Sequence, residues 1–289
     1  MKNGGKKLKG KEAKEQENID SELAHSKKSK KDAPKKHDEI LREQIGEGLE
    51  IYDRSNSSIF ISSLTAGLEI GFSFLLLCTV YSFFSGKVSE ETIFKLFTFV
   101  YPLGFVMVIL GKSILFTEQT SLLALPVLNK KRSLGALLKL WGVVIAGNLI
   151  GGYVMAVVMI WIGPNLGIFD LKAIENIAEH VVHPAPQVIL VSAILAGWLM
   201  ALLSWLLTSS KDTVSRLFII YLITAIMSFT GLHHSILGST EIFAALISSP
   251  DVSALDYLKF IGVALLGNSM GGFFFVAILK YRVFIQNVE

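Results

Sequence analysis

Residues 231–240 read GLHHSILGST, and they interrupt an apolar run that begins FIIYLITAIMSF at 218–229 and resumes as IFAALI at 242–247. The run as a whole, 214–248, is too long for one straight crossing, since about 20 helical residues at about 1.5 Å each cover about 30 Å of hydrocarbon. The stretch at 93–128 is also over-long and carries GKSILFTEQT at 111–120. Backbone broken at membrane depth is tolerated only where it is buried in protein or lines a cavity. The two interruptions therefore read as functional loops inside two broken helices.

Four further apolar segments of spanning length lie at 59–84, 134–163, 186–209 and 255–284, which makes six crossings and an all-α membrane protein. The charges support this division. Residues 2–54 hold 14 basic and 12 acidic side chains of the 51 in the chain, which leaves 25 for the remaining 235 residues. Such a distribution is that of a membrane domain with a charged tail. Residues 1–37 lack the apolar content to order themselves and read as a disordered cytoplasmic tail. Residues 38–54 place Ile40, Leu41, Ile45, Leu49 and Ile51 at near-helical spacing, as in an amphipathic helix at the membrane interface. The domain proper is 55–289.

Several functions are disfavoured. The charge balance is close to neutral, so nucleic acid is not an expected partner. Cys78 is the single cysteine, so no disulfide and no thiolate metal site is expected. There is no HExxH or GxSxG motif, and neither an enzyme activity nor a cofactor is expected. His180 and His183 could share a metal only weakly, lacking a third ligand; a solvated outer loop is the simpler reading.

Orientation follows from the basic residues. The connections after the second and fourth segments and the C-terminus carry eight Lys and Arg. The other three connections carry Lys87, Lys95, Lys172 and Lys259 among seven acids. The positive-inside rule then puts both termini in the cytoplasm and the chain in the cytoplasmic, inner membrane.

The sequence also repeats. Gly147–Gly152, GNLIGG, returns as Gly267–Gly272, GNSMGG, and Gly111 of the first break matches Gly231 of the second, both at an offset of 120. Each unit holds three crossings, so the second runs upside down relative to the first. Paired broken helices in inverted repeats are an architecture of transporters with a pathway at the repeat interface.

Over about residues 40–285 the chain resembles the formate/nitrite transporter family. The resemblance is carried by Leu115-Phe116-Thr117, by Trp141 with GNLIGG, by His234-Ser235 and by GNSMGG. It implies an aquaporin-like six-helix protomer with its own pore, assembled as a homopentamer in lipid. It implies also that His234 faces Thr117 between two constrictions, with Leu115 and Phe116 at one and Tyr101, Phe105 and Met227 near the narrow parts. Asn148 and Asn268 match pore-flanking or helix-packing positions. Val181, His233 and Gly238 stand where the family usually has a lysine, an acid and an asparagine.

The substrate expected on these grounds is a small monovalent anion or its protonated weak acid. A lone charge at bilayer depth costs at least about 2.5–3.5 kcal/mol, and a weak acid avoids most of that by crossing protonated. Histidine, titrating near pH 6.5 when unperturbed, is suited to hold or lend the proton. Lys112, Glu118 and Glu241 lie in or beside the breaks, with the two acids at corresponding places; they read as loop-stabilising groups. Glu69 is expected to be paired or near the interface. The rival reading is a pore fold that serves as a sensor or scaffold without conducting.

Overall fold

The computed structural model describes residues 10–25 and 35–288. Thirteen helices occur among them, and no strand. The membrane domain contains α3 (Asn56–Phe84), α4 (Glu90–Leu96) running through a short 3₁₀ turn towards α5 (Pro102–Leu110), α6 (Phe116–Leu128) and α7 (Leu134–Leu166). It continues with α8 (Leu171–Val182), α9 (Pro186–Ser209), α10 (Thr213–Thr230), α11 (Ser235–Ser248) and α12 (Ala254–Met270), which passes through a π-helical stretch into α13 (Leu279–Val288). Six of the helical stretches are long and apolar enough to cross a membrane. The two broken segments are α4–α5 followed by α6, and α10 followed by α11, each a crossing followed by a half-helix.

Polar residues at the segment ends explain where the helices begin. Ser55, Ser89, Ser133, Asp212 and Ser253 each accept a hydrogen bond from the backbone N–H three residues on, the geometry of a side-chain N-cap.

Glycines of the repeat decide how closely the helices pack. In the first unit α3 lies on α7, and a Cβ on Gly151 would stand 2.1 Å from the Leu64 carbonyl oxygen; in the second, α9 lies on α12, and a Cβ on Gly271 would stand 2.0 Å from that of Ile194. Only glycine permits either approach, the small-residue packing common between membrane helices. Repeated glycines thus make the same contact in both units. The fold is the expected inverted repeat of three plus three crossings with broken second and fifth segments.

Two expectations about the N-terminal region need revision. Within the segment read as disordered, Gly10–His25 forms α1, with Ile19 and Gln16 buried. Gln16 donates to Asn129 Oδ1 at 2.8 Å, and Lys131 lies 3.4 Å from Asp20. Composition excludes a core of the tail's own but not docking onto a core made elsewhere. Residues 1–9 and 26–34 lie outside the described residues. The amphipathic segment forms α2 (His37–Tyr52), but its apolar face meets protein: Leu41 and Ile45 are buried, and Gly48 lies close against the Leu122 carbonyl and Pro126.

Among the described residues, the terminal helices α1, α2 and α13 and the basic loops gather at one end of the bundle. Arg132 pairs with Asp53 at 2.7 Å, Lys35 donates to the Thr208 carbonyl at 2.6 Å, and the Tyr281 hydroxyl reaches Asn129 Oδ1 at 3.1 Å.

Candidate functional site

The two breaks are held by the same device. Asn148 on α7 accepts from the Phe116 N–H at 2.8 Å and donates to the carbonyls of Ser63 and Ile114, each at 2.8 Å. Asn268 on α12 accepts from the Ser235 N–H at 2.8 Å and donates to Ala193 and His233 carbonyls at 2.8 and 3.1 Å. Each amide thus satisfies backbone groups that a broken helix leaves without partners, where no bulk water can substitute. Asn148 and Asn268 are clamps on the breaks, and neither is among the lining residues of the two vestibules described below.

The break residues themselves pair at an offset of 119, one less than the glycine–asparagine motifs. Lys112 (φ 63°) and Gly231 (φ 67°) hold the left-handed turn positions. The next residues, Ser113 and Leu232, donate to the carbonyls of Val108 and Met227. Leu115 and His234 are the N-caps of α6 and α11, with nearly equal dihedral angles (φ −100°, ψ 124° and φ −103°, ψ 121°). The sequence match of Gly111 with Gly231 is therefore shifted by one residue.

His234 and Thr117 meet where the two half-helix N-termini converge. The Leu237 N–H donates to His234 Nδ1 at 3.2 Å, and His234 Nε2 lies 2.6 Å from Thr117 Oγ1. Because Nδ1 is already an acceptor, the hydrogen bonds assign the neutral ring with its proton on Nε2, donating to Thr117. The Thr117 hydroxyl hydrogen has no protein acceptor among the described residues. Phe105 sets its ring edge-on to His234 at 5.0 Å and stacks on Tyr101 at 5.2 Å.

Two cavities approach this pair from opposite ends. The distal vestibule, away from the termini, has a volume of about 490 Å³. Glu90, Glu91, Lys95 and His180 are among its lining residues, as are Tyr101, Met227, His233, His234 and Glu241. The proximal vestibule, on the side of the termini, is about 340 Å³ and is lined in part by Glu47, Arg54, Lys112, Glu118 and Arg216. Leu115, Phe105 and Phe116 are fully buried and line neither. Phe105 packs against His234, and Leu115 begins the half-helix that carries Thr117. The Phe116 ring instead packs edge-on against Trp141 of α7 at 5.5 Å, so the geometry gives it a packing role.

His233 is a separate arrangement. Its Nε2 donates to the Val181 carbonyl at 3.2 Å, its Nδ1 lies 2.8 Å from Ser192 Oγ, and its N–H donates to the same oxygen at 3.0 Å. A Cβ on Gly238 would stand 3.4 Å from Val181 Cγ1. The three positions noted as departures thus lie together, His233 fastening α9 to the end of α8. Ser192 carried no signal in sequence, being one serine in an apolar helix.

The acids do not hold the breaks. Glu118 is the third residue of α6 and bonds the Gln119 side chain, whereas Glu241 is the seventh of α11. They are not at corresponding places, and they face opposite vestibules. Lys112 serves the break through its backbone turn. Glu69 Oε2 is buried without a partner. His180 stacks on Phe94 at 3.8 Å, and among the described residues no group of three metal-ligating side chains includes a histidine. The lining residues Glu47 and Arg216 were missed as site candidates, because only the docking of α2 brings the first to the cavity.

An inverted repeat whose paired breaks meet between two vestibules defines a multi-pass membrane channel or transporter rather than an enzyme. The formate/nitrite transporter family model matches residues 38–282, and the chain belongs to that family. Inner membrane protein YfdC of Escherichia coli (strain K12) is 29% identical over 235 residues, covering 79% of this chain and 73% of that protein. Formate channel FocA of the same strain is 24% identical over 250 residues, covering 78% and 86%. Nitrite transporter NirC of Salmonella typhimurium (strain LT2) is 26% identical over 181 residues, covering 63% and 65%. Among solved structures, an FNT family ion channel superposes with a TM-score of 0.76 at 19% identity, covering 84% of this chain and 98% of that one. A pentameric formate channel with formate bound gives 0.65 at 19%, covering 80% and 98%.

Proposed function

We propose that the chain conducts a small monovalent anion, of the formate or nitrite kind, or its protonated acid, with each protomer providing its own pathway. The observation that carries this reading is the His234–Thr117 contact between the vestibules. Two half-helix N-termini converge there, and their partial positive charge favours an anion. The free hydroxyl hydrogen of Thr117 and, once the pair opens, the Nε2–H of His234 supply two donors to its oxygens. His234 acts here as a neutral donor, because both of its nitrogens are engaged in the resting site. Leu115, Phe105, Tyr101 and Met227 close the path to hydrated ions.

The end bearing the termini and basic loops is assigned to the cytoplasm by the positive-inside rule, so the distal vestibule opens outward from the inner membrane. The relatives named for formate and nitrite support the substrate class, and the pentameric neighbour supports a homopentamer embedded in lipid.

The test is uptake by proteoliposomes of formate, nitrite, acetate, lactate and hydrosulfide, with an inward proton gradient and without one. Flux of at least one anion, reduced in His234→Ala, is expected. No flux for any of them would overturn the reading and favour a non-conducting scaffold.

A further inference from the structure

Glu241 is a buried acid of the distal vestibule that the His234–Thr117 pair leaves unused. Its side chain is 4% exposed and lines that cavity, and among the described residues nothing hydrogen-bonds its carboxyl. It follows His234 by seven residues, two helical turns or about 10 Å along α11, on the same face. The ionisable groups around it come from every neighbouring element. Cys78 of α3 and Tyr101 before α5 lie within electrostatic range of the carboxyl. Glu90, Glu91 and Lys95 of α4, His180 of α8, and His233 and His234 of the second break line the cavity with it. Tyr257 of α12 bonds Ser239 at 2.8 Å and also bonds Tyr153 of α7. Lys95, the cation among them, is held at the Phe229 carbonyl at 2.8 Å. With no cation paired to it, a carboxylate here would carry the cost of a lone buried charge, so the acid form is the resting one.

We infer that Glu241 is the proton donor of the distal vestibule, handing its proton to a small monovalent oxyanion before that substrate meets Phe105 and Leu115. The O–H bond of Glu241 breaks, its electron pair stays on the carboxylate, and a new O–H bond forms on the substrate oxygen. A hydronium ion entering through the vestibule mouth restores the acid. One proton and one anion then cross together, and no net charge passes Phe105 and Leu115. His234 cannot take this part from its resting position. Giving up the Nε2 proton would leave an imidazolate, and gaining one at Nδ1 would break the Leu237 cap. This inference rests on the conducting function proposed above.

The experiment uses the full chain in proteoliposomes, with formate and nitrite uptake followed against external pH. Wild type should accelerate with an inward proton gradient. Glu241→Gln should lower gradient-driven uptake by about tenfold or more, the scale of a positioned acid, and flatten the pH profile. Glu241→Asp should retain a pH-dependent flux. A Glu241→Gln variant with wild-type flux and pH profile would overturn the role of Glu241 alone, whereas a wild type that carries no anion would overturn the conducting function and this inference with it. Infrared difference spectra give a readout independent of folding in the variants. Adding formate to wild type should bleach a protonated-carboxyl band, and no such bleach would also overturn the proposal.

Discussion

The first and second breaks share a scaffold and differ in what they display. In both, a repeat asparagine fixes three backbone groups, a residue near φ +65° turns the chain, and a half-helix begins with nearly the same N-cap dihedral angles. Yet the turn residue is Lys112 in one and Gly231 in the other, and the N-cap is Leu115 in one and His234 in the other. The parts that satisfy the backbone are repeated because the backbone problem is the same twice. The side chains at the matched positions are not, and this asymmetry sets the apolar Leu115 at one N-cap and the polar His234 at the other.

The shared half of this comparison can be broken most severely at the asparagines. Asn148→Leu or Asn268→Leu strands three backbone groups, each worth about 1–3 kcal/mol when left unpaired in a dry interior. Either variant should lose about 3 kcal/mol or more, seen as a much lower melting temperature in detergent. Equal losses would confirm that the two clamps are equivalent. Next come Gly151→Val and Gly271→Val, whose side chains would enter the Leu64 and Ile194 carbonyls. Each should cost about 1–3 kcal/mol by overpacking, again read as matched falls in melting temperature.

The differing half is sharpened by smaller effects. His234→Leu makes the second N-cap like the first; losing the cap should cost about 1 kcal/mol, with anion flux reduced far more than stability. Leu115→Ala leaves a neutral cap unchanged and should loosen the closure of the path, raising leak of small anions across proteoliposomes. The turn residues give the smallest effect. Gly231→Ala should destabilise by about 1 kcal/mol because L-residues resist the left-handed region, and Lys112→Gly should stabilise by a few tenths to about 1 kcal/mol. Opposite signs in thermal melts of the two variants would verify that Lys112, rather than Gly111, is the counterpart of Gly231.

Much of the fold was legible because membrane crossings announce themselves locally: length, apolarity and polar ends of each segment are properties of the chain itself. The His234–Thr117 pair was legible only through the family motifs, since the residues lie 117 apart and no local pattern links them. The role of the asparagines was half legible. Their repetition showed in the sequence, but what they bond depends on carbonyls of Ser63 and Ala193, on helices of different phase. The correspondence of Glu118 with Glu241 failed because the breaks align at 119, which matches Glu118 with Leu237 and puts Glu241 four residues, about one helical turn, further along its half-helix.

The sequence by itself determined six crossings, two breaks and an inverted duplication, because hydrophobic length and glycine spacing are written along the chain and do not need a partner to be read; the family showed as a resemblance carried by its motifs. Only the tertiary structure decided that α1 docks through Gln16 and Ile19, that His233 ties α8 to α9, that Phe116 turns to Trp141, and that Glu241 and Glu118 face opposite vestibules. Those outcomes depend on which surfaces meet once the helices are packed, and a hydrogen bond or a cavity wall exists only between residues that packing brings together.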